Sequence, residues 1–328
     1  MTVLVTGCAG FIGLQVCRIL LEDGQPVEGL DDLNDAYDIR LKNWRLSQLK
    51  SYSKFRFRKL DISDYPTLRS VFASNEKRGL PPFASVVNLG ARAGVQQSVA
   101  NPWSYYQANT IGTMNLLEAS REFKVKKFLL ASTSSVYGAD TARPFKEDSD
   151  TNRPLSPYAA SKKAAETLLY SYHHLYGLDA SVLRYFTVYG PAGRPDMSIF
   201  KFVRAVAEGQ TITIFGDGRQ ERDFTYVDDV GRGTVAAIKP LGYEVINLGA
   251  DRPVVLAEVI SMIENCLKRR ALITYAPSHP ADIRATWADI SQARNLLGWR
   301  PQVSIEEGIK RTVHWYVENR AWVKDIAT

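Results

Sequence analysis

The chain has 328 residues, 45% hydrophobic and 23% charged, a balance that fits a water-soluble globular protein with one large domain and a smaller one. Its net charge of +6 is scattered, with Lys124-Lys126-Lys127 and Lys268-Arg269-Arg270 as small clusters, so no nucleic-acid partner is expected, though the positive balance would suit an acidic substrate. No apolar run is long enough to span a bilayer, Cys8, Cys17 and Cys266 lack metal-ligand spacing, and glycine-rich sequence starts too near Met1 to leave room for a leader; the expectation is a cytoplasmic protein with no membrane partner and no metal.

Thr2 to Thr6 reads as a buried parallel strand. Gly7-Cys8-Ala9-Gly10-Phe11-Ile12-Gly13 follows at once, and Phe11 to Glu22 then reads as a helix with Phe11, Ile12, Val16, Ile19 and Leu20 on one side. A plain tight turn would also use glycine. Strand, glycine turn and helix start in succession, however, form a dinucleotide pyrophosphate site, because glycine lets the backbone approach the phosphates and the helix start supplies N–H donors. Gly7, Gly10, Phe11, Ile12 and Gly13 are therefore candidate cofactor residues. The second strand, Gln25 to Leu30, ends in Asp31-Asp32, about 20 residues past the loop, where an acid takes the adenosine ribose hydroxyls. Asp31 is the candidate, and Asp32 reads as a cap. A carboxylate there repels a 2′-phosphate, which favours NAD over NADP.

Further strands are predicted at Phe55–Leu60, Ala84–Leu89, Lys127–Ser132 and Asp179–Arg184, separated by helices at Tyr65–Asn75, Asn101–Glu122 and Pro157–Tyr176. Such alternation predicts an α/β fold with a doubly wound parallel sheet of Rossmann type over residues 1–190, binding ligands beyond the carboxyl ends of its strands. After about Gly190 the rhythm changes. Helices at Ser198–Glu208, Val227–Ile238, Leu256–Lys268, Ile290–Leu297 and Ile305–Arg320, with short strands at Thr211–Ile214 and Val245–Leu248, predict a smaller, mainly helical substrate lobe over 191–328. Segments around 226–250 are expected to return to the main sheet.

Tyr158 and Lys162 are four residues apart in the first turns of a helix, so both face one way. An ammonium beside a phenol favours the phenolate and makes the tyrosine a general base near neutral pH. In isolation the pair reads rather as two surface side chains, since such pairs are common. Thr133 raises its significance, because it lies just past a strand end and can share a proton with Tyr158 and a substrate hydroxyl. Ser134 and Ser135 are candidate substrate contacts beside it, although turn chemistry explains them as well.

With the glycine loop, Asp61-Ile62, Asn109, Ser132-Thr133-Ser134-Ser135-Val136-Tyr137-Gly138, Tyr158-x-x-x-Lys162, Tyr185 to Pro191 and Arg222 to Asp229, the chain resembles, end to end, the extended short-chain dehydrogenase/reductases of the nucleotide-sugar epimerase/dehydratase family. The resemblance implies that Asp61 and Ile62 contact the adenine and that Leu89, Gly90 and Ala91 line the cofactor's diphosphate and ribose channel. It places Asn109 near the cofactor as a brace, Tyr185 beside the nicotinamide, and Tyr158 and Lys162 in contact with the cofactor as well as in catalysis. It pairs Arg222 with the substrate diphosphate, where a salt bridge to Asp223 or Asp228 is the alternative, and gives Asp282 the uridine ribose. A homodimer is also implied, through a four-helix bundle built from Asn101–Glu122 and Pro157–Tyr176; Tyr105, Tyr106, Leu168, Leu169 and Tyr172 could supply that face or simply fill the core.

Dehydratases of this family resemble Thr-Asp-Glu at the strand end, and the UDP-glucuronate decarboxylases carry Glu where Ser135 stands. Here neither slot holds a carboxylate, so elimination lacks its proton carriers and 4-epimerisation of a UDP-sugar is favoured. Asp31 to Lys42 and Gly190 to Met197 resemble stretches of the UDP-glucuronate 4-epimerases, while Gln96-Gln97 stands where those usually read Arg-Tyr. UDP-galactose 4-epimerases have Asn in place of Thr187. Thr187 and Arg194 are thus candidates to grip a carbon-6 carboxylate, with a loop ion pair to Asp196 as the alternative for Arg194. A UDP-glucose/UDP-galactose or broad epimerase, a decarboxylase and a redox-sensing regulator remain the competing readings.

Overall fold

The computed structural model describes residues 2–139, 141–277 and 283–327. The first half runs β1 (Val3–Thr6), α1 (Phe11–Glu22), β2 (Val27–Asp31), α2 (Ile39–Lys50), β3 (Phe55–Lys59), α3 (Tyr65–Lys77) and β4 (Ser85–Asn88). Short helical pieces follow: α4 (Val95–Ala100), α5 (Pro102–Tyr105), a wide π turn (Tyr106–Ile111) and α6 (Gly112–Glu122). Then come β5 (Lys127–Thr133), a 3₁₀ turn (Ser134–Tyr137), α7 (Pro157–Tyr176) and β6 (Asp179–Tyr185). The remainder is β7 (Thr187–Tyr189), α8 (Ser198–Glu208), β8 (Thr211–Phe215), β9 (Glu221–Tyr226), α9 (Val227–Ala236), β10 (Tyr243–Leu248), β11 (Pro253–Val255), α10 (Leu256–Leu267), β12 (Leu272–Ala276), α11 (Ser291–Leu297) and α12 (Ile305–Val323).

Among the described residues the main sheet has seven parallel strands in the order β3-β2-β1-β4-β5-β6-β10. Strand alternation sends side chains to two cores. Val3 and Val5 pack with Leu14, Val16 and Leu20 of α1 and Val230 of α9. Leu4 packs on the other face with Phe72 of α3, Leu116 of α6 and Leu169 of α7. Both faces are covered, which is why the inner strands are continuous apolar runs. The expected doubly wound sheet is present, and β10 rejoins it beside β6. No helix among the described residues is long and apolar enough to cross a membrane.

A third core gathers Phe200 and Val203 of α8, Val259 and Ile263 of α10, and Ile309 and Val313 of α12. Around it lie two small sheets, β11-β9-β7 and β12-β8. Of these short strands only β8 is expected, at Thr211–Ile214; β7, β9, β11 and β12 escape a periodicity reading, because three to six residues specify little without their partners. Two other differences matter for the site. The helix predicted from Asn101 to Glu122 is broken into α5, the π turn and α6. And α2, which the sequence does not announce, carries Leu41 into the third core and sets Trp44 edge-on to Trp315 of α12 at 5.4 Å.

Candidate active site

Parallel pairing brings the carboxyl ends of β1, β2, β4, β5 and β6 into one row, with Thr133 opposite Tyr185. A cavity of about 360 Å³ runs along it. At one end stands the glycine loop. Gly7 has φ +67°, and a Cβ there would lie 2.8 Å from the Leu89 carbonyl carbon. A Cβ on Gly13 would overlap the Gly7 carbonyl oxygen. Gly10 caps α1 without any side-chain hydrogen bond, so the first N–H groups of the helix are left to a ligand. Asp31 is held by Ala9 N–H at 3.1 Å and Leu33 N–H at 2.9 Å. Burial pushes its carboxyl up, against the pull of the nearby Lys42 ammonium and those N–H groups. Glycine cradle, helix start and acid fit a dinucleotide. Asp61 and Ile62 line the same end; Leu89, Gly90 and Ala91 line the middle.

At the other end, Ser156 accepts from Ala159 N–H at 3.2 Å and Pro157 opens α7, which puts Tyr158 in the first turn and Lys162 one turn on. Both line the cavity with Thr133, Ser134, Ser135, Tyr185, Thr187 and Arg194. Thr133 Oγ1 lies 3.2 Å from Ser135 Oγ and accepts from Ser135 N–H. Burial raises the Tyr158 phenol above its ordinary value; the Thr133 hydroxyl and the Arg194 charge oppose this. The expected lowering by Lys162 is absent. Lys162 Nζ instead donates to the Ala131 carbonyl at 2.8 Å, and burial brings the amine down to about 8 although Glu166 holds it up.

Arg194 makes the loop ion pair and also lines the cavity. It pairs with Asp196 at 2.6 Å and donates to the Ala93 carbonyl at 2.9 Å, with Tyr158 among the groups that feel its charge.

Two expected site residues stand outside the lining, and a third lies outside the described residues. Asn109 is outside the lining: its amide bonds the Arg92 backbone at 2.8 and 2.9 Å and Ser161 at 2.9 Å, so it braces the loop after β4 against α7. Arg222 lies on β9, donates to the Glu221 and Arg284 carbonyls at 2.9 and 3.3 Å, and is also outside the lining. Asp282 falls outside the described residues. The reading of residues missed Tyr37 and Lys42, which line the cleft from the loop after β2 and from α2, while Arg92, the cation next to the Gln96-Gln97 departure, lines it from the loop after β4. The signal available for Tyr37 and Lys42 was the Asp31–Lys42 stretch, noted for its resemblance but given no roles beyond Asp31.

Comparison with known proteins agrees with this geometry. The family model described as GDP-mannose 4,6 dehydratase matches residues 4–312. A UDP-glucuronate 4-epimerase of Thermodesulfobacterium geofontis is 53% identical over 98% of both chains. The crystal structure of UDP-glucuronic acid 4-epimerase from Bacillus cereus, in complex with UDP-glucuronic acid and NAD, matches with TM-score 0.91 at 37% identity, covering 97% of this chain and 100% of that one. The UDP-glucose 4-epimerase of Thermotoga maritima with UDP-glucose matches at 0.87 and 32% identity, covering 98% and 100%.

Proposed function

We propose, for a chain that belongs to the NAD-dependent epimerase/dehydratase family matched by the GDP-mannose 4,6 dehydratase model, that it is an isomerase interconverting UDP-glucuronate and UDP-galacturonate at carbon 4. The observation that carries the reading is the meeting, in one cleft with the dinucleotide cradle, of the Tyr158 phenol and the Arg194 cation, with hydroxyls and no carboxylate at positions 134 and 135.

Bound NAD would supply the acceptor and donor for the hydrogen at carbon 4. Gly7, Gly10 and Gly13 leave room for its pyrophosphate, and Asp31 takes the ribose hydroxyls. Tyr158 removes the proton of the carbon-4 hydroxyl, with Thr133 in the relay, and returns it to the carbon-4 oxygen when hydrogen is restored to carbon 4 from the opposite face. Lys162 bears on the phenol as a cation once the ligands lie between strand end and helix. The 4-keto sugar turns about its diphosphate between the two transfers. As a β-keto acid it tends to lose carbon dioxide; Thr187 and Arg194 hold the carboxylate so that the breaking bond stays out of alignment. Arg222 and Asp282 remain the proposed diphosphate and uridine-ribose contacts.

A homodimer belongs to the same proposal. Tyr105 and Leu169 are core residues at 4% and 0% exposure, so they do not supply its face. Val99, Trp103, Tyr106, Met114 and Tyr170 are exposed and apolar on α4 to α7 and are better suited to it. The cytoplasm is the proposed compartment, since both ligands are charged solutes that do not cross membranes unaided.

Incubating the purified protein with UDP-glucuronate and no added NAD should yield UDP-galacturonate, with deuterium at carbon 4 retained. A UDP-pentose product, or faster interconversion of UDP-glucose and UDP-galactose, would overturn the assignment.

A further inference from the structure

Arg45 is fully buried in the middle of α2. Its five N–H donors all find oxygen acceptors, and none of these is a carboxylate. Nε donates to the Ala192 carbonyl at 3.0 Å. Nη2 donates to Ala192 again at 2.7 Å and to the Gly193 carbonyl at 3.1 Å. Nη1 donates to the Tyr37 hydroxyl at 2.7 Å and, longer, to the Ala9 carbonyl at 3.4 Å. One side chain thereby joins the glycine loop, the loop after β2 and the loop that leads into Arg194. Ala192, whose carbonyl takes two of the bonds, sits at φ +54°, a left-handed conformation that a non-glycine residue keeps only where its surroundings impose it.

Tyr37 shares this junction. Its ring has Lys42 Nζ at 5.2 Å, the Arg45 guanidinium at 5.4 Å and the Arg194 guanidinium at 5.8 Å from its centre. Tyr37, Lys42 and Arg194 line the cleft; Arg45 stands behind them. Lys42 Nζ also donates to Asn34 and acts on Asp31 by charge. The cofactor end and the substrate end of the cleft therefore meet at one aromatic ring and one buried cation.

We propose that Arg45 is a positioning residue, with Tyr37 as its relay, that binds the glycine loop to the loop bearing Arg194, so that cofactor retention and recognition of the sugar's carboxylate are set by the same clamp. The carboxylate half of this rests on the UDP-uronate reading above; the cofactor half does not. Lysine cannot substitute, because three donors on a flexible stem do not span acceptors in three loops.

The test uses Arg45→Lys, Tyr37→Leu and, as reference, Arg194→Ala, each compared with the parent protein. Three quantities are measured: NAD content after gel filtration, the melting shift on adding NAD, and calorimetric affinity for UDP-glucuronate relative to UDP. Arg45→Lys should lower NAD content and melting shift and also reduce the UDP-glucuronate preference by about tenfold or more. Tyr37→Leu, a half-buried position that keeps the fold if Arg45→Lys does not, should reduce the preference by about tenfold. Arg194→Ala should lose the preference and keep its NAD. If Arg45→Lys or Tyr37→Leu folds and matches the parent protein in NAD content and preference, the clamp is wrong while the carboxylate reading stands. If Arg194→Ala keeps the preference, the carboxylate reading is wrong and the coupling falls with it, leaving NAD retention to judge the clamp's cofactor half.

Discussion

Burial displaces both Tyr158 and Lys162 from their solution behaviour. Burial holds the phenol neutral and weakens the amine to about 8. Replacing Tyr158 with Phe should lower kcat by about 1,000-fold while UDP-sugar affinity persists; full turnover would remove the tyrosine from the mechanism. The Lys162 value sets a pH limit on activity. The cation is present below about 8 and is lost above it, so kcat/KM should fall on the alkaline side with an apparent pKa near 8. Lys162→Arg should move that limb beyond the measurable range, and an unchanged limb would assign it to another group. The stability sign is separate. A buried lysine with a depressed pKa binds fewer protons than the unfolded chain between about 8 and 10.5, so its burial penalty eases as pH rises through that window.

Among elements, the glycine turn and the joints behind the cleft tolerate least. Gly13→Ala forces a methyl into the Gly7 carbonyl and should cost about 3 kcal/mol, read as a lower urea midpoint, with loss of bound NAD. The π turn exists to aim Asn109: its widened step brings the amide onto Arg92 and Ser161, which fixes the loop after β4 to the helix carrying Tyr158. A similar joint sits in the lobe, where fully buried Asp223 accepts from Ala250, Asp251 and Ala288 N–H groups and from Thr225 Oγ1. Burial raises this carboxyl to about 6 and those donors oppose the shift. Asp223→Ala would strand the three N–H groups, so a destabilisation of about 3 kcal/mol or more is expected in urea unfolding. A loss under 1 kcal/mol would show that the loops re-pair on their own.

For the whole molecule, two exposed apolar regions need explanation. Trp103 is 83% exposed, beside Val99, Tyr106 and Met114, an arrangement that a monomer rarely keeps in water. Sedimentation should show a dimer, and Trp103→Arg should shift it to monomer at micromolar concentration with the melt of each protomer little changed. A parent protein that sediments as a monomer would remove the dimer from the proposal. The other region is the β8–β12 sheet, where Phe215, Leu272 and Tyr275 are exposed among the described residues.

Residue order alone announced the glycine turn, the acid after β2, the Tyr158–Lys162 pair and the alternation that makes a doubly wound sheet. These are local patterns: strand and helix periods, a turn that admits only glycine, two side chains one helical turn apart. Other lining residues, among them Asp61, Leu89, Tyr185, Thr187 and Arg194, were named from the family resemblance, and a parallel sheet presents its strand ends at one edge whatever the side chains are. Arg45 escaped the same reading for a physical reason. A charged residue on a helix is taken to face water, and its partners at Ala192 are 147 positions away. Asn109 was placed near the cofactor, but its direction depends on a π turn that no spacing rule foretells. The state of Tyr158 likewise followed from burial and from Lys162 bonding Ala131, distances that arise when the chain closes on itself.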